Sequence, residues 1–265
     1  MTHSSHSVGD IMKINKVSII LISFLLLMIT SFVILYIIST MKEQVTIELI
    51  REQAQVMDFN FILPGEAIHD SERRIPIDFD ALQRLNEDIY AWIRIPGLNI
   101  DYPIVQSVDD PSYYTRRDFK RKPSMFGAIF TLPDECREFS ESNTIIYGYK
   151  SMNDRMFGPL KQYLDTSFMS EFDTIKIFTP TNIYTYQVFA AMKHNSMSFM
   201  QSNQFYFAQS FESLDSILNG KYTDKIQNSD IEIKPEDRVI TLSTSNLLSN
   251  QRYLIRAVLV QVEYN

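Results

Sequence analysis

The sequence predicts a mainly β domain carried behind a single membrane-crossing helix, and three stretches predict it. Val17 to Ser39 is an uncharged run dominated by Ile, Leu, Phe, Met and Val. From Ile93 onward, short runs of β-formers alternate with polar or Pro-Gly breaks. Near the C-terminus, Arg238 to Val260 reads as two strands joined by a short polar loop. In a regular strand Ile240 and Leu242 share one face, while Thr241, Ser243 and Ser245 share the other. That pattern puts Ser245 at a strand end and Arg252 at the start of the next strand. A nucleophile-type residue and a guanidinium then sit side by side at the mouth of a sheet.

At 265 residues and 45% hydrophobic, the chain can bury one good-sized core. A net charge of −7 argues against a nucleic-acid partner, since phosphate binding needs a basic face. The single cysteine, Cys136, rules out an intramolecular disulfide and a cysteine metal cluster. The histidines are His3, His6, His69 and His194, and none has metal-ligand spacing, so neither a metal site nor a cofactor is expected.

Taken in order, residues 1–16 form a polar tail with Lys13 and Lys16. Residues 17–39 span about 34 Å as a helix, enough to cross a bilayer core. A cleaved signal peptide fits less well, because the run is long and no Ala-x-Ala-like site follows. The two lysines favour a cytoplasmic N-terminus, with residues 40–265 outside the cell membrane. Residues 40–75 read as stalk and linker: Val45, Leu49, Ile50, Ala54 and Met57 give a narrow helical face, and Pro64-Gly65 gives a turn. The remaining domain is residues 76–265.

Asp78 to Trp92 reads as a helix capped by Asp78 or Asp80, because Phe79, Leu82, Leu85, Ile89 and Trp92 recur at three- and four-residue steps. Strands are expected at Leu98–Gln106, where Pro103 suggests an edge or bulge, and at Asn143–Tyr149, Thr174–Thr179 and Asn182–Met192. Asn203 to Leu218 reads as a helix with Phe207, Phe211, Leu214 and Leu218 on its core face and Gly220 as its cap. His194 follows a strand and reads as a solvated loop residue. Cys136, among acidic neighbours that oppose thiolate formation, reads as a bystander.

Several segments resemble class B sortases, the membrane-anchored cysteine transpeptidases of Gram-positive surfaces. They are Asn86 to Gln106, the pair Tyr113-Tyr114, Gly127-Ala-Ile-Phe130, Asn143-Thr-Ile-Ile-Tyr-Gly-Tyr149, Met156-Phe157, and Thr241-Leu-Ser-Thr-Ser245 followed by Gln251-Arg252-Tyr253. The likeness runs from about Asp78 to Val262. Leu132 stands where the family usually has an aspartate. The resemblance implies a closed β-barrel of about eight strands with N-terminal helices and a long helix between strands six and seven. It also implies a cysteine nucleophile, a histidine that protonates the leaving amine, and an arginine that steadies substrate and oxyanion. Carried over residue by residue, these positions hold Ser245, Tyr149 and Arg252.

Two of the three are exchanged. A serine hydroxyl depends on an adjacent base, whereas a cysteine reaches its thiolate near neutral pH. Phenols titrate near pH ~10 and serve poorly as bases at neutral pH. Lys150 could act as base only if desolvated beside Ser245. The expectation is a catalytically degenerate homologue that binds a sorting-signal or pilin-like segment, or a partner sortase. The alternatives are an active transpeptidase or hydrolase using Ser245, and a structural surface or pilus assembly factor.

Overall fold

The computed structural model describes residues 16–54, 75–149, 155–195, 222–228, 230–245 and 251–264. The chain divides into two compact units, Met1–Ile50 and Arg51–Asn265. Helix α1 (Lys16–Ala54) is continuous through the expected membrane segment and into the expected stalk. Its stretch Ile19–Ile38 is long and apolar enough to cross a membrane. Large apolar side chains such as Leu21, Phe24, Leu27 and Leu35 are exposed along it, a surface that fits a membrane anchor or a signal sequence.

The second unit opens with helix α2 (Phe79–Leu85), shorter than the sequence predicts. Asp78 caps it, accepting from the Ala81 amide at 2.9 Å, while Phe79 and Leu82 are its buried contacts. Asn86 then turns extended, and strand β1 (Ile89–Ile95) begins. The expected helix to Trp92 is therefore corrected. Ile89 to Ile93 are all buried, on both faces of the strand. An apolar run without alternation contains helical spacings by coincidence.

Strand β2 (Ile100–Gln106) returns antiparallel to β1, across a short 310 turn at Pro96–Leu98. Pro103 pairs with Trp92 on that side, and the parallel partner β3 (Ile129–Thr131) joins only from Ile104. A residue without an N–H is thus tolerated where β2 has a strand on one side only. Between β2 and β3, Tyr114 is buried, with its hydroxyl bonded to Asp88 and to the Asn86 amide. Burial and the Asp88 hydrogen bond push that phenol up to about 12. Arg121 closes the cluster on Asp88.

Strand β4 (Asn143–Tyr149) pairs antiparallel with β3 and parallel with β8 (Val239–Ser245). Strand β9 (Gln251–Tyr264) follows β8 as the expected hairpin partner and pairs along its whole length with β6 (Asn182–Asn195). Strand β5 (Thr174–Phe178) bridges β6 and β1. The ring β1-β2-β3-β4-β8-β9-β6-β5 closes on itself as an eight-stranded barrel. A ninth strand, β7 (Tyr222–Gln227), lies on the free side of the second half of β6 and has no counterpart in the sequence reading. The expected helix Asn203–Leu218 falls between β6 and β7, outside the described residues. The core is built from Ile93, Ile104, Ile146, Val188, Leu242 and Ile255, all essentially inaccessible.

Candidate functional site

Three strand pairings assemble the site. On β4 and β8 the last registered pair is Tyr149 with Ser245. On β8 and β9 the register runs to Ser243 with Leu254, the Tyr253 amide bonds to Thr244, and Ser245 and Arg252 are the next residues along the two strands. On β9 and β6, Arg252 pairs with His194. Tyr149, Ser245, Arg252 and His194 therefore occupy one transverse row across four neighbouring strands, at the barrel end where β8 stops.

Arg252 is 9% exposed. Its burial lowers the guanidinium's proton affinity, and the nearby Tyr147 and Tyr149 phenols oppose that shift. The group stays a cation at any physiological pH. Tyr149 is half-buried, and its carbonyl accepts from the Phe157 amide at 3.3 Å. Gly148 makes this approach possible, since a Cβ there would meet the Phe157 ring at 2.6 Å. The Tyr253 amide donates to Thr244 Oγ1 at 2.9 Å, locking the start of β9 onto the end of β8.

No family model matches the chain. Sortase B of Listeria monocytogenes is 32% identical over 163 residues, 62% of this chain and 65% of the relative. Sortase B of Staphylococcus aureus is 30% identical over 167 residues, 63% of this chain and 66% of the relative. The matched part thus spans just under two thirds of these relatives' length. Among solved structures, a Staphylococcus aureus sortase B–substrate complex is similar with a TM-score of 0.58 at 28% identity, covering 69% of this chain and 84% of that one. The chain is thus similar to class B sortases in sequence and in fold.

In this sortase homologue, the three positions carried over from the sequence reading (Ser245, Tyr149 and Arg252) fall in the one row. Cys136 does not. It lies in the connection that enters β4 at its far end, and β4 itself is about 20 Å long. There its sulfur contacts Glu138 Oε2 at 3.0 Å and Ser140 Oγ at 3.1 Å. Lys150 and His69 lie outside the described residues. Among the described residues no cluster of three or more metal-ligating side chains occurs.

Two residues of the sortase barrel escaped the sequence reading. His194 is not a loop residue but a strand position, because β6 continues through Asn195 opposite β9. Arg256 is 2% exposed and pairs with Thr241, whose hydroxyl lies 2.7 Å from Asn143 Oδ1. Its guanidinium sits 5.5 Å from the Phe189 ring centre. The usable signal was spacing: four residues apart on a strand, Arg252 and Arg256 share a face.

Proposed function

We propose that this chain is a class B sortase homologue that holds a sorting-signal-like or pilin-like peptide at the cell surface without cutting it. The observation that carries the reading is the row itself. Register pairs Ser245 with Tyr149 and brings Arg252 alongside, so the group beside the nucleophile position is a phenol. Attack by a hydroxyl needs a proton acceptor next to it, and departure of the amine needs a donor matched to the working pH. Arg252 cannot accept a proton, and phenols are mismatched to the acceptor role at neutral pH. What the row offers is a fixed cation and hydrogen-bonding backbone at the ends of neighbouring strands, which suits peptide recognition.

The apolar stretch of α1 fits an uncleaved anchor at residues 17–39, with the barrel on the outer face. The test is incubation of the full chain with a panel of sorting-signal peptides, scored for binding and for cleavage. Binding without cleavage supports the reading. Cleavage makes the chain an enzyme acting through Ser245. Absence of both favours a structural surface factor, and recovery of an active sortase on the immobilised chain would make that sortase the partner.

A further inference from the structure

Away from the barrel mouth, the connection between β2 and β3 gathers positive charge. Arg116, Arg117, Lys120, Arg121 and Lys122 lie close together in sequence with one acid, Asp118, in a chain whose net charge is −7. The segment is a fixed turn. Arg117 and Pro123 form a β-bridge, and the Ser124 amide donates to the Arg116 carbonyl at 2.9 Å. Asp118 Oδ1 accepts from the Lys120 and Lys122 amides, each at 2.9 Å, so the one acid is spent on the turn itself. Phe119 is buried, and its carbonyl accepts from the Asn86 side-chain amide at 2.7 Å, which pins the turn to the barrel.

Little of this charge is paired. Arg121 meets Asp88 and Glu87, and the Arg117 guanidinium lies 4.4 Å from the Tyr113 ring centre. Among the described residues no carboxylate forms an ion pair with Arg116, Arg117, Lys120 or Lys122. Arg116 and Lys122 are exposed. Burial, and then the charge of Lys122, lower the proton affinity of Lys120. Like charges held this close oppose folding, and an external anion relieves them. Two exposed apolar side chains flank the turn. Met125 follows it at 48% exposure, and Leu85, at 45%, precedes the Glu87 that Arg121 holds.

We propose that the turn 116–122, with Met125, docks the barrel on the anionic headgroups of a phospholipid bilayer. Cations attract the phosphate layer, and an apolar side chain beside them enters the headgroup boundary. A soluble polyanion would satisfy the cations but leave Met125 and Leu85 in water, which favours the lipid. The inference takes from the anchor reading above only the barrel's closeness to a bilayer. An anchored barrel stays at high effective concentration over the surface, so a weak patch suffices.

The experiment uses the full chain in vesicles of phosphatidylcholine alone, or with about one third phosphatidylglycerol. Cys136→Ser with Met125→Cys carries a bimane dye at the turn, and a headgroup spin-labelled lipid quenches it on contact. Strong quenching is expected in the anionic vesicles only, and salt should relieve it. Each basic residue near such a surface is worth about fivefold in partitioning, so adding Arg116→Glu and Lys122→Glu should lower the docked-to-free ratio by about twentyfold or more. Both proteins carry the same dye, so their difference reads charge. Equal quenching in neutral and anionic vesicles overturns the proposal, and so does quenching that survives the charge variant. Labelled polyphosphate captured by the chain in neutral vesicles, with no response to phosphatidylglycerol, makes the partner a soluble polyanion and overturns it too. Flotation after alkaline washing reports the anchor separately. A chain that floats only with anionic vesicles loses the anchor reading and keeps the docking.

Discussion

Tyr149 and Ser245 form the last pair of the parallel β4–β8 register, which begins at Asn143 and Val239 and runs without a shift. Because the pairing is regular, a change at either residue acts at a fixed place in the barrel mouth.

Arg252 carries the permanent charge of the row. Arg252→Lys keeps a cation but replaces the planar fork with a compact ammonium, so peptide affinity should fall about tenfold. Titration calorimetry with a binding peptide measures it. Unchanged affinity would show that the peptide does not use the guanidinium.

Gly148 leaves room for Phe157. Gly148→Ala would put a Cβ 2.6 Å from that buried ring, which cannot move without opening the packing. A loss of about 1–3 kcal/mol is expected, read by chemical denaturation, with a weakening of peptide binding as Tyr149 shifts. Full stability in the variant would mean that Phe157 has another place to go.

Glu135 should tie stability to pH. Burial, and then the charge of Glu141, hold its carboxyl well above the ordinary carboxylate range, although Oε1 accepts from the Ile145 amide at 3.3 Å. The folded protein therefore keeps a proton that the unfolded chain releases. Its contribution is full below the ordinary glutamate value and is lost as pH rises through the folded value. The melting temperature should accordingly decline from mildly acidic to mildly alkaline pH, and Glu135→Gln should flatten that decline. The same slope in the variant would assign it to other groups.

Anchoring predicts that the full chain stays with membranes after alkaline extraction and that protease added to intact protoplasts digests the barrel. Release of a processed barrel into the medium would identify α1 as a signal sequence instead.

Much of this was legible in the chain. The β8–β9 hairpin is local, its alternation is clean, and Ser245 and Arg252 could be placed from spacing alone. The parallel β4–β8 pairing joins segments almost a hundred residues apart, and no local pattern announces such a partner. Only the resemblance put Tyr149 beside Ser245. Helix α2 was over-extended because β1 is buried on both faces and so lacks the alternation that marks a half-buried strand. Tyr222–Gln227 went unseen because Thr, Asp, Lys and Gln outnumber its apolar residues, as befits a strand attached outside the ring. His194 read as loop because Lys, His and Asn carry little strand propensity. Pairing with β9 decides its conformation instead.

The central claim is that the exchange of two reacting groups leaves a holder and not a cutter. Its most direct measurement is peptide turnover, followed by mass spectrometry over a panel of sorting-signal peptides, for the native chain, Ser245→Cys, Tyr149→His and the double variant. General acid–base help is worth roughly 10²–10⁴-fold, and the two groups act as a unit. The native chain should stay at background, each single variant should gain little, and the double variant should exceed both. Turnover by the native chain that disappears in Ser245→Ala would contradict the account and make Ser245 a working nucleophile.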